Sequence, residues 1–127
     1  MELRERVLRK FFGISPSGLD LINRISELEK DPLVKRIEVY SLSKYIVLLE
    51  KELSMREKLD LLNKYGFPRP RYINTLDTHV LREYGFTGLA ESIEKSEDKE
   101  EDRKVPEWVE YKVGKTIFRI EMFKPSY

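Results

Sequence analysis

The chain has 127 residues, of which 40% are hydrophobic and 37% charged, and its 24 lysines and arginines nearly balance 23 acidic residues. This length suits one domain, and the net charge of +1 excludes a polycation, so any nucleic-acid contact must come from a local basic patch. Cysteine is absent and no apolar run exceeds five residues, which excludes disulfides, thiolate metal sites and a membrane span. We also expect no other metal site and no cofactor.

The first half of the chain is predicted to be mainly helical. Apolar spacing predicts helices over 2–12 and 19–30, separated by the break GISPSG at 13–18. Asp31-Pro32 has the residues of a helix start. The stretch over 33–53 is ambiguous, because β-branched residues alternate with polar ones in KRIEVYSL. Its dense apolar face favours a core helix, and we predict helix through most of it.

The middle of the chain predicts two or three more helices. SMRE at 54–57 matches a capping box, and this helix is expected to end at Tyr65 before Gly66. After a proline-rich turn, a further helix is predicted from about Tyr72 to Tyr84. TGLAESIEK begins another helix, which runs into the charged sequence SEDKEEDRK.

The last segment changes its period and predicts a β-hairpin. WVEYKV and TIFRIEMF alternate apolar and polar residues around Gly114-Lys115. The expected fold is therefore α+β: a mainly helical single domain of about five helices with a C-terminal β-hairpin, and a winged helix is the candidate arrangement. We divide it into a helical domain at 1–95, a charged linker at 96–106 and a hairpin at 107–127 packed on the same domain.

The proline-rich turn and its flanks have the composition of a nucleic-acid contact. The helices predicted over 54–65 and 72–84 have the size of a helix–turn–helix motif, with the hairpin as a wing. Cations suit phosphates, and aromatic or amide side chains suit bases. We therefore predict a small non-enzymatic DNA-associated protein with no catalytic residues, which binds through Lys64, Arg69, Arg71, Tyr72, Asn74, Lys112 and Lys115.

Two observations favour a different role. DNA would repel the acidic run before the hairpin, and the turn between the two helices is long for a helix–turn–helix motif. The alternative is a protein–protein interaction module or accessory subunit without nucleic-acid contact, whose partner is another protein or a second copy of the chain. Aromatic residues dominate such interfaces. The candidate anchors are Phe11, Phe12, Trp108 and Phe123.

The stretch YGFPRPRYINTLDTHVLREYGF at 65–86 resembles the segment that carries the catalytic aspartate in helix-hairpin-helix DNA glycosylases. The resemblance implies that Asp77 takes the aspartate's place and that Lys58 lies near the place of the lysine of bifunctional members. The glycine-rich hairpin of that family is not present around Lys58. A glycosylase-like DNA repair enzyme is therefore a third hypothesis, and the lone His79 leaves few other catalytic options.

Composition also indicates a habitat. The chain has many lysines, glutamates and arginines, no glutamine and three asparagines, which is the pattern of hyperthermophile proteins. The first ten residues contain no signal-peptide core, so we expect a cytoplasmic protein.

Overall fold

The computed structural model describes residues 2–11, 13–96 and 105–126. The described residues form five helices and five strands. In chain order these are α1 (Leu3–Lys10), α2 (Pro16–Glu29), β1 (Val34–Ser41), β2 (Lys44–Leu49), α3 (Met55–Lys64), β3 (Tyr72–Asn74), α4 (Thr78–Glu83), α5 (Thr87–Ser96), β4 (Trp108–Val113) and β5 (Thr116–Phe123).

The five strands form one mixed sheet in the order β1-β2-β5-β4-β3. Neighbouring strands are antiparallel except β2 and β5, which are parallel. The predicted hairpin is present as β4 and β5, and Gly114 at its tip has a φ of 60°, a conformation that glycine adopts most readily. The hairpin lies inside the sheet, because β5 pairs with β2 and β4 pairs with β3.

The prediction of a mainly helical domain with a winged-helix arrangement is wrong. Residues 34–41 and 44–49, assigned mostly to a helix from the sequence, form an antiparallel pair of strands. A short apolar run fits a strand buried on both faces as well as it fits a buried helix. All five residues of the run Tyr45–Leu49 are buried, which is why periodicity misled here.

Asp31 does not begin a helix. Its carboxylate accepts a hydrogen bond from the Leu33 amide at 2.9 Å and shapes the turn into β1. The Tyr65 hydroxyl and the Lys64 ammonium also donate to this carboxylate, at 2.6 and 3.0 Å. The sequence signal for a polar cap was therefore real, but Asp31 caps a turn between α2 and a strand.

The helix predicted from Tyr72 to Tyr84 is also wrong. Residues 72–74 form strand β3, and only Thr78–Glu83 are helical. Asp77 is the N-cap of α4, and its carboxylate accepts a hydrogen bond from the Val80 amide at 3.2 Å. The strand forms because Ile73, fully buried, pairs with Val109 of β4.

The core lies between one face of the sheet and the helices. Alternate strand residues such as Tyr45, Val47, Tyr111 and Phe118 pack against helical residues such as Leu59 in a single cluster. The predicted capping box of α3 is present, with Ser54 and Glu57 bonding each other's amides. The predicted linker at 96–106 falls mostly on residues 97–104, which lie outside the described residues.

The alternate strand side chains that are not in this core lie on the second face of the sheet, which we call the open face, although Ile46 and Leu48 on it are buried. Within the described residues, every helix contributes buried residues to the core on the other side of the sheet. The open face carries Arg36, Glu38, Tyr40, Lys44, Ile46, Leu48, Tyr72, Asn74, Trp108, Glu110, Lys112, Ile117, Arg119, Glu121 and Phe123. None of the described helices has both the length and the apolar character that crossing a bilayer requires.

Candidate functional site

The open face holds two adjacent aromatic rings. The rings of Tyr72 on β3 and Trp108 on β4 lie 5.4 Å apart between centroids and are tilted by 44°. Tyr72 also contacts Phe86 edge-on, at 6.0 Å. On the other side of Trp108, the guanidinium of Arg119 on β5 lies 4.6 Å from the ring centroid. Three strands therefore bring two aromatic rings and a guanidinium into contact on one surface.

Cations gather around this strip toward the β4–β5 turn. Lys112 lies on β4 two residues beyond Glu110, and Lys115 lies in the turn. Lys44 of β2 is in register with Arg119 of β5. Within the described residues, neither lysine of the hairpin pairs with a carboxylate. This end of the open face is therefore its most positive part.

Carboxylates on the same face limit that positive charge. Glu121 lies 3.6 Å from the Lys44 ammonium and 3.9 Å from the Arg119 guanidinium. Glu110 lies 3.6 Å from the guanidinium of Arg71. These pairs are partly exposed, so each stabilises the fold only slightly and can open toward a ligand.

The predicted nucleic-acid residues Lys64 and Arg69 lie away from the open face. Lys64 ends α3 in the helical layer, where it donates to the buried carboxylate of Asp31, and this contact raises the pKa of Lys64. Arg69 donates to the Tyr84 carbonyl at 2.5 Å and its guanidinium lies over the Tyr84 ring. Lys64 is therefore engaged with the turn between α2 and β1, and Arg69 links the proline-rich turn to the end of α4.

The other predicted residues lie on or beside β3 and the hairpin. Arg71 immediately precedes β3, and its amide donates to the Glu110 carbonyl at 2.7 Å. Asn74, at the other end of β3, donates to the Pro106 carbonyl at 2.7 Å. Together with Tyr72, Lys112 and Lys115, they follow the β3–β4 side of the sheet. The structure therefore brings five of the seven predicted residues to one side of the sheet.

The residues singled out by the glycosylase resemblance have structural partners. Asp77 caps α4, and His79 is exposed on that helix. Lys58 is buried and its ammonium donates to Glu107 at 2.9 Å, while the Thr75 hydroxyl donates to the other oxygen of Glu107 at 2.7 Å. This network joins α3, the segment after β3 and the start of β4.

A cavity of about 680 Å³ adjoins the Lys58–Glu107 pair. Its walls combine apolar side chains, among them Leu76 and Phe123, with Glu52 and Glu121. The described residues contain no group of three or more histidines, cysteines or acids placed to hold a metal ion. Of the charged groups in its lining, Lys58 and Glu107 pair with each other, and Glu121 lies beside Lys44 and Arg119.

Trp108, Arg119 and Lys44 are the residues of this surface that the sequence-based site omitted. Strand alternation carried the signal, because WVEYKV places Trp108 and Lys112 on the same face and TIFRIEMF places Arg119 opposite the buried Phe118 and Ile120. The parallel pairing of β2 with β5, which adds Lys44, depends on two strands far apart in sequence.

Comparison with protein-family models, curated proteins and solved structures finds no match for this chain. The resemblance to helix-hairpin-helix glycosylases therefore stays a prediction.

Proposed function

We propose that this chain is a small non-enzymatic DNA-associated protein that holds a single strand across its open face. The observation that carries the proposal is the strip formed by Tyr72, Trp108 and Arg119 on three adjacent strands. Bases of a single strand stack on aromatic rings and on guanidinium planes. Adjacent aromatic rings and a guanidinium on one surface are the platform that such stacking requires.

A single strand suits this surface better than a duplex does. Duplex readout requires an element that enters the major groove, and the helix expected over 72–84 is replaced by β3 and the six-residue α4. Stacking on Tyr72 and Trp108 requires bases that are not stacked on each other. The ligand class is therefore single-stranded DNA rather than duplex DNA.

The cations at the hairpin end supply contacts to phosphate. Lys112 and Lys115 have no carboxylate partner in the described part of the chain, and Arg71 and Lys44 hold only long contacts to Glu110 and Glu121. About three phosphate contacts would give log K against log salt a slope of about −2 for a single strand. The neighbouring carboxylates favour weak binding that salt abolishes.

The experiment uses Trp108, which is the only tryptophan of the chain. Titration with an oligothymidylate at low salt should quench or shift its fluorescence, and duplex DNA of the same length should do so much less. Lys112→Glu should weaken binding and make the salt slope shallower by about one. The matched control is Lys95→Glu on α5, which should change neither. Unchanged fluorescence with saturating oligonucleotide at low salt would refute the proposal.

A second candidate is a protein–protein interaction module. The exposed apolar side chains Tyr40, Ile117 and Phe123, between 43 and 58% exposed, all lie on the open face. Exposed apolar groups on one surface favour a protein contact. Sedimentation velocity distinguishes the two candidates. A dimer that Phe123→Ser dissociates, together with absence of oligonucleotide binding, would favour the interaction module.

We also propose a hyperthermophilic source, from the composition and from surface ion pairs that link separate elements. Arg6 of α1 pairs with Glu29 of α2 at 2.7 Å, and Arg82 of α4 pairs with Glu94 of α5 at 2.5 Å. Arg56 of α3 forms a two-pronged pair with Glu83 of α4. Such pairs stabilise proteins most at high temperature, where charged groups lose less hydration free energy on pairing.

A further inference from the structure

A cleft lies between α1 and the outer edge of β1, which pairs with no strand in the described part of the chain and which we call the free edge. Its volume is about 390 Å³. Val7 of α1 and Ile37 of β1 are buried at its floor, and Phe11 and Val39 are half-buried beside them. The cleft is on a different edge of the sheet from β3, so it does not belong to the aromatic strip described above.

The free edge of β1 presents backbone groups to this cleft. The amide of Ile37 donates to the Glu29 carboxylate of α2 at 3.1 Å, so this amide points away from β2. Backbone groups of alternate residues in a strand point to the same side. The amide of Val39 therefore also points to the free edge. β1 has eight residues, whereas the opposite edge strand β3 has three, so β1 is the longer template for an added strand.

The wall formed by α1 is basic. Arg6 and Lys10 lie one helical turn apart and both line the cleft. Arg36 lines its sheet side and pairs with Glu38, the one acidic residue of the lining, at 3.0 Å. Arg6 already binds one carboxylate, that of Glu29, at 2.7 Å. The internal Glu29 thus shows which chemistry this wall accepts: a carboxylate beside an edge amide.

The spacing of the cations fits an extended acidic chain. Residues four apart on a helix are separated by about 6 Å along its axis. Alternate residues of a strand, which point to the same side, are separated by about 6.6 Å. The repeat of acidic residues at alternate positions of an added strand therefore matches the spacing of Arg6 and Lys10.

We propose that this cleft binds an extended acidic peptide of a partner protein, which adds to the sheet as a sixth strand beside β1. Backbone hydrogen bonds at Val39 supply affinity, and carboxylates facing Arg6 and Lys10 supply specificity, as in other cases of strand addition. The residues between the carboxylates point to the open face near Tyr40. This proposal does not depend on DNA binding.

The test uses the full chain and a capped, fluorescein-labelled peptide of alternating valine and glutamate. Fluorescence anisotropy should show binding at least tenfold tighter than for the same peptide with glutamine or lysine in place of glutamate. Amide hydrogen exchange should slow at Val39 in the complex. Equal affinity for the three peptides, or unchanged exchange at Val39, would overturn the proposal.

Two variants separate the charge from the edge amide. Lys10→Glu should weaken binding of the glutamate peptide at least fivefold, and Lys95→Glu on the distant α5 is its matched control. Val39→Pro removes the edge amide and should abolish binding, with circular dichroism to verify the fold. If Lys10→Glu binds as the parent does, the proposal is wrong. Slow exchange at Val39 in the free protein would also overturn it, because a second copy or the chain itself would then occupy the edge.

Discussion

The guanidinium of Arg119 lies over the indole ring of Trp108, 4.6 Å from the ring centroid. The two residues come from neighbouring antiparallel strands and point to the same side of the sheet. A base that approaches this strip therefore meets the guanidinium of Arg119 on one side of Trp108 and the ring of Tyr72 on the other. This arrangement makes Arg119 the residue whose removal should affect stacking most directly.

Replacing Arg119 with alanine should weaken oligothymidylate binding about thirtyfold, because it removes both a stacking plane and a charge, each of which contributes on the order of 1 kcal/mol. Arg119→Lys keeps the charge and loses the plane, so its affinity should lie between that of the parent and that of the alanine variant. Fluorescence titration measures both. If the lysine variant binds as weakly as the alanine variant, the guanidinium plane is essential. If neither loses affinity, Arg119 is not part of the site.

The Asp31 carboxyl should make the free energy of unfolding decrease as the pH is lowered. Burial alone raises the pKa of its carboxyl, but hydrogen bonds from Tyr65, Leu33 and Lys64 outweigh burial and hold that pKa below its usual 3.8. The unfolded chain then binds the proton more readily than the folded one does. The stabilisation from Asp31 is thus complete above the unfolded pKa and is lost as the pH falls through the folded pKa.

Replacing Asp31 with asparagine tests this. At pH 7 it should lower the free energy of unfolding by about 2 kcal/mol, since hydrogen bonds to a charged group are worth about 1.5–3. Denaturant unfolding should show that the free energy of unfolding falls less between pH 7 and pH 3 for the variant than for the parent. An equal acid loss in both proteins would mean that other carboxyls determine it.

Removing the charge of only one member of the Lys58–Glu107 pair should lower the free energy of unfolding. The Lys58 side chain is only 9% exposed, and its ammonium lies 2.9 Å from Glu107. Glu107→Gln removes the opposite charge and should lower the free energy of unfolding by about 3 kcal/mol. The double variant with Lys58→Met should recover part of that loss. Chemical denaturation of the two variants measures the coupling, and additive losses would contradict it.

Two buried tyrosines should lower stability in alkali. The hydroxyls of Tyr45 and Tyr111 have no hydrogen-bond partner among the described residues. Burial raises the pKa of Tyr45 to about 12 and raises that of Tyr111 further. The unfolded phenols lose their protons from about pH 10, while the folded ones keep them, so stability falls as the pH rises above 10.

Phenylalanine at these positions removes the ionisable group without changing the shape of the ring. Tyr111→Phe should be neutral or stabilising at pH 7, because the hydroxyl it removes is buried and unpaired in the described structure. Its unfolding free energy should also fall less between pH 9 and pH 11 than that of the parent. A loss of stability at pH 7 would show that the Tyr111 hydroxyl has a partner.

The thermal unfolding midpoint should exceed about 90 °C if the chain comes from a hyperthermophile. Glu83→Gln breaks the pair with Arg56 between α4 and α3, and it should lower the midpoint by a few degrees. Lys95→Gln, an exposed change on α5, is the control and should leave it unchanged. A midpoint near 55 °C for the parent would contradict the composition argument.

Local signals predicted part of this fold correctly. The capping box at Ser54 and the hairpin tip at Gly114 each depend on residues within four positions of each other, so the sequence alone reveals them. The run at 45–49 was misassigned because its burial on both faces removes the alternation that distinguishes a strand.

The candidate site was predicted in part, because its parts come from distant segments. Tyr72 and Lys112 were predicted because an aromatic side chain suits a base and a cation suits a phosphate. Their neighbours Trp108 and Arg119 join them only through the pairing of β3, β4 and β5. Lys64 and Arg69 were included because they lie close in sequence, but Lys64 donates to Asp31 and Arg69 donates to the Tyr84 carbonyl.

Chemical-shift mapping with a single-stranded oligonucleotide tests the central claim most directly. In a ¹⁵N correlation spectrum of the full chain at low salt, we predict the largest changes at the Trp108 indole and at the amides of Tyr72, Lys112 and Arg119. The amides of α2 and α5 in the helical layer should change little. Changes spread over the helices, or no change on β3, β4 and β5, would contradict the account.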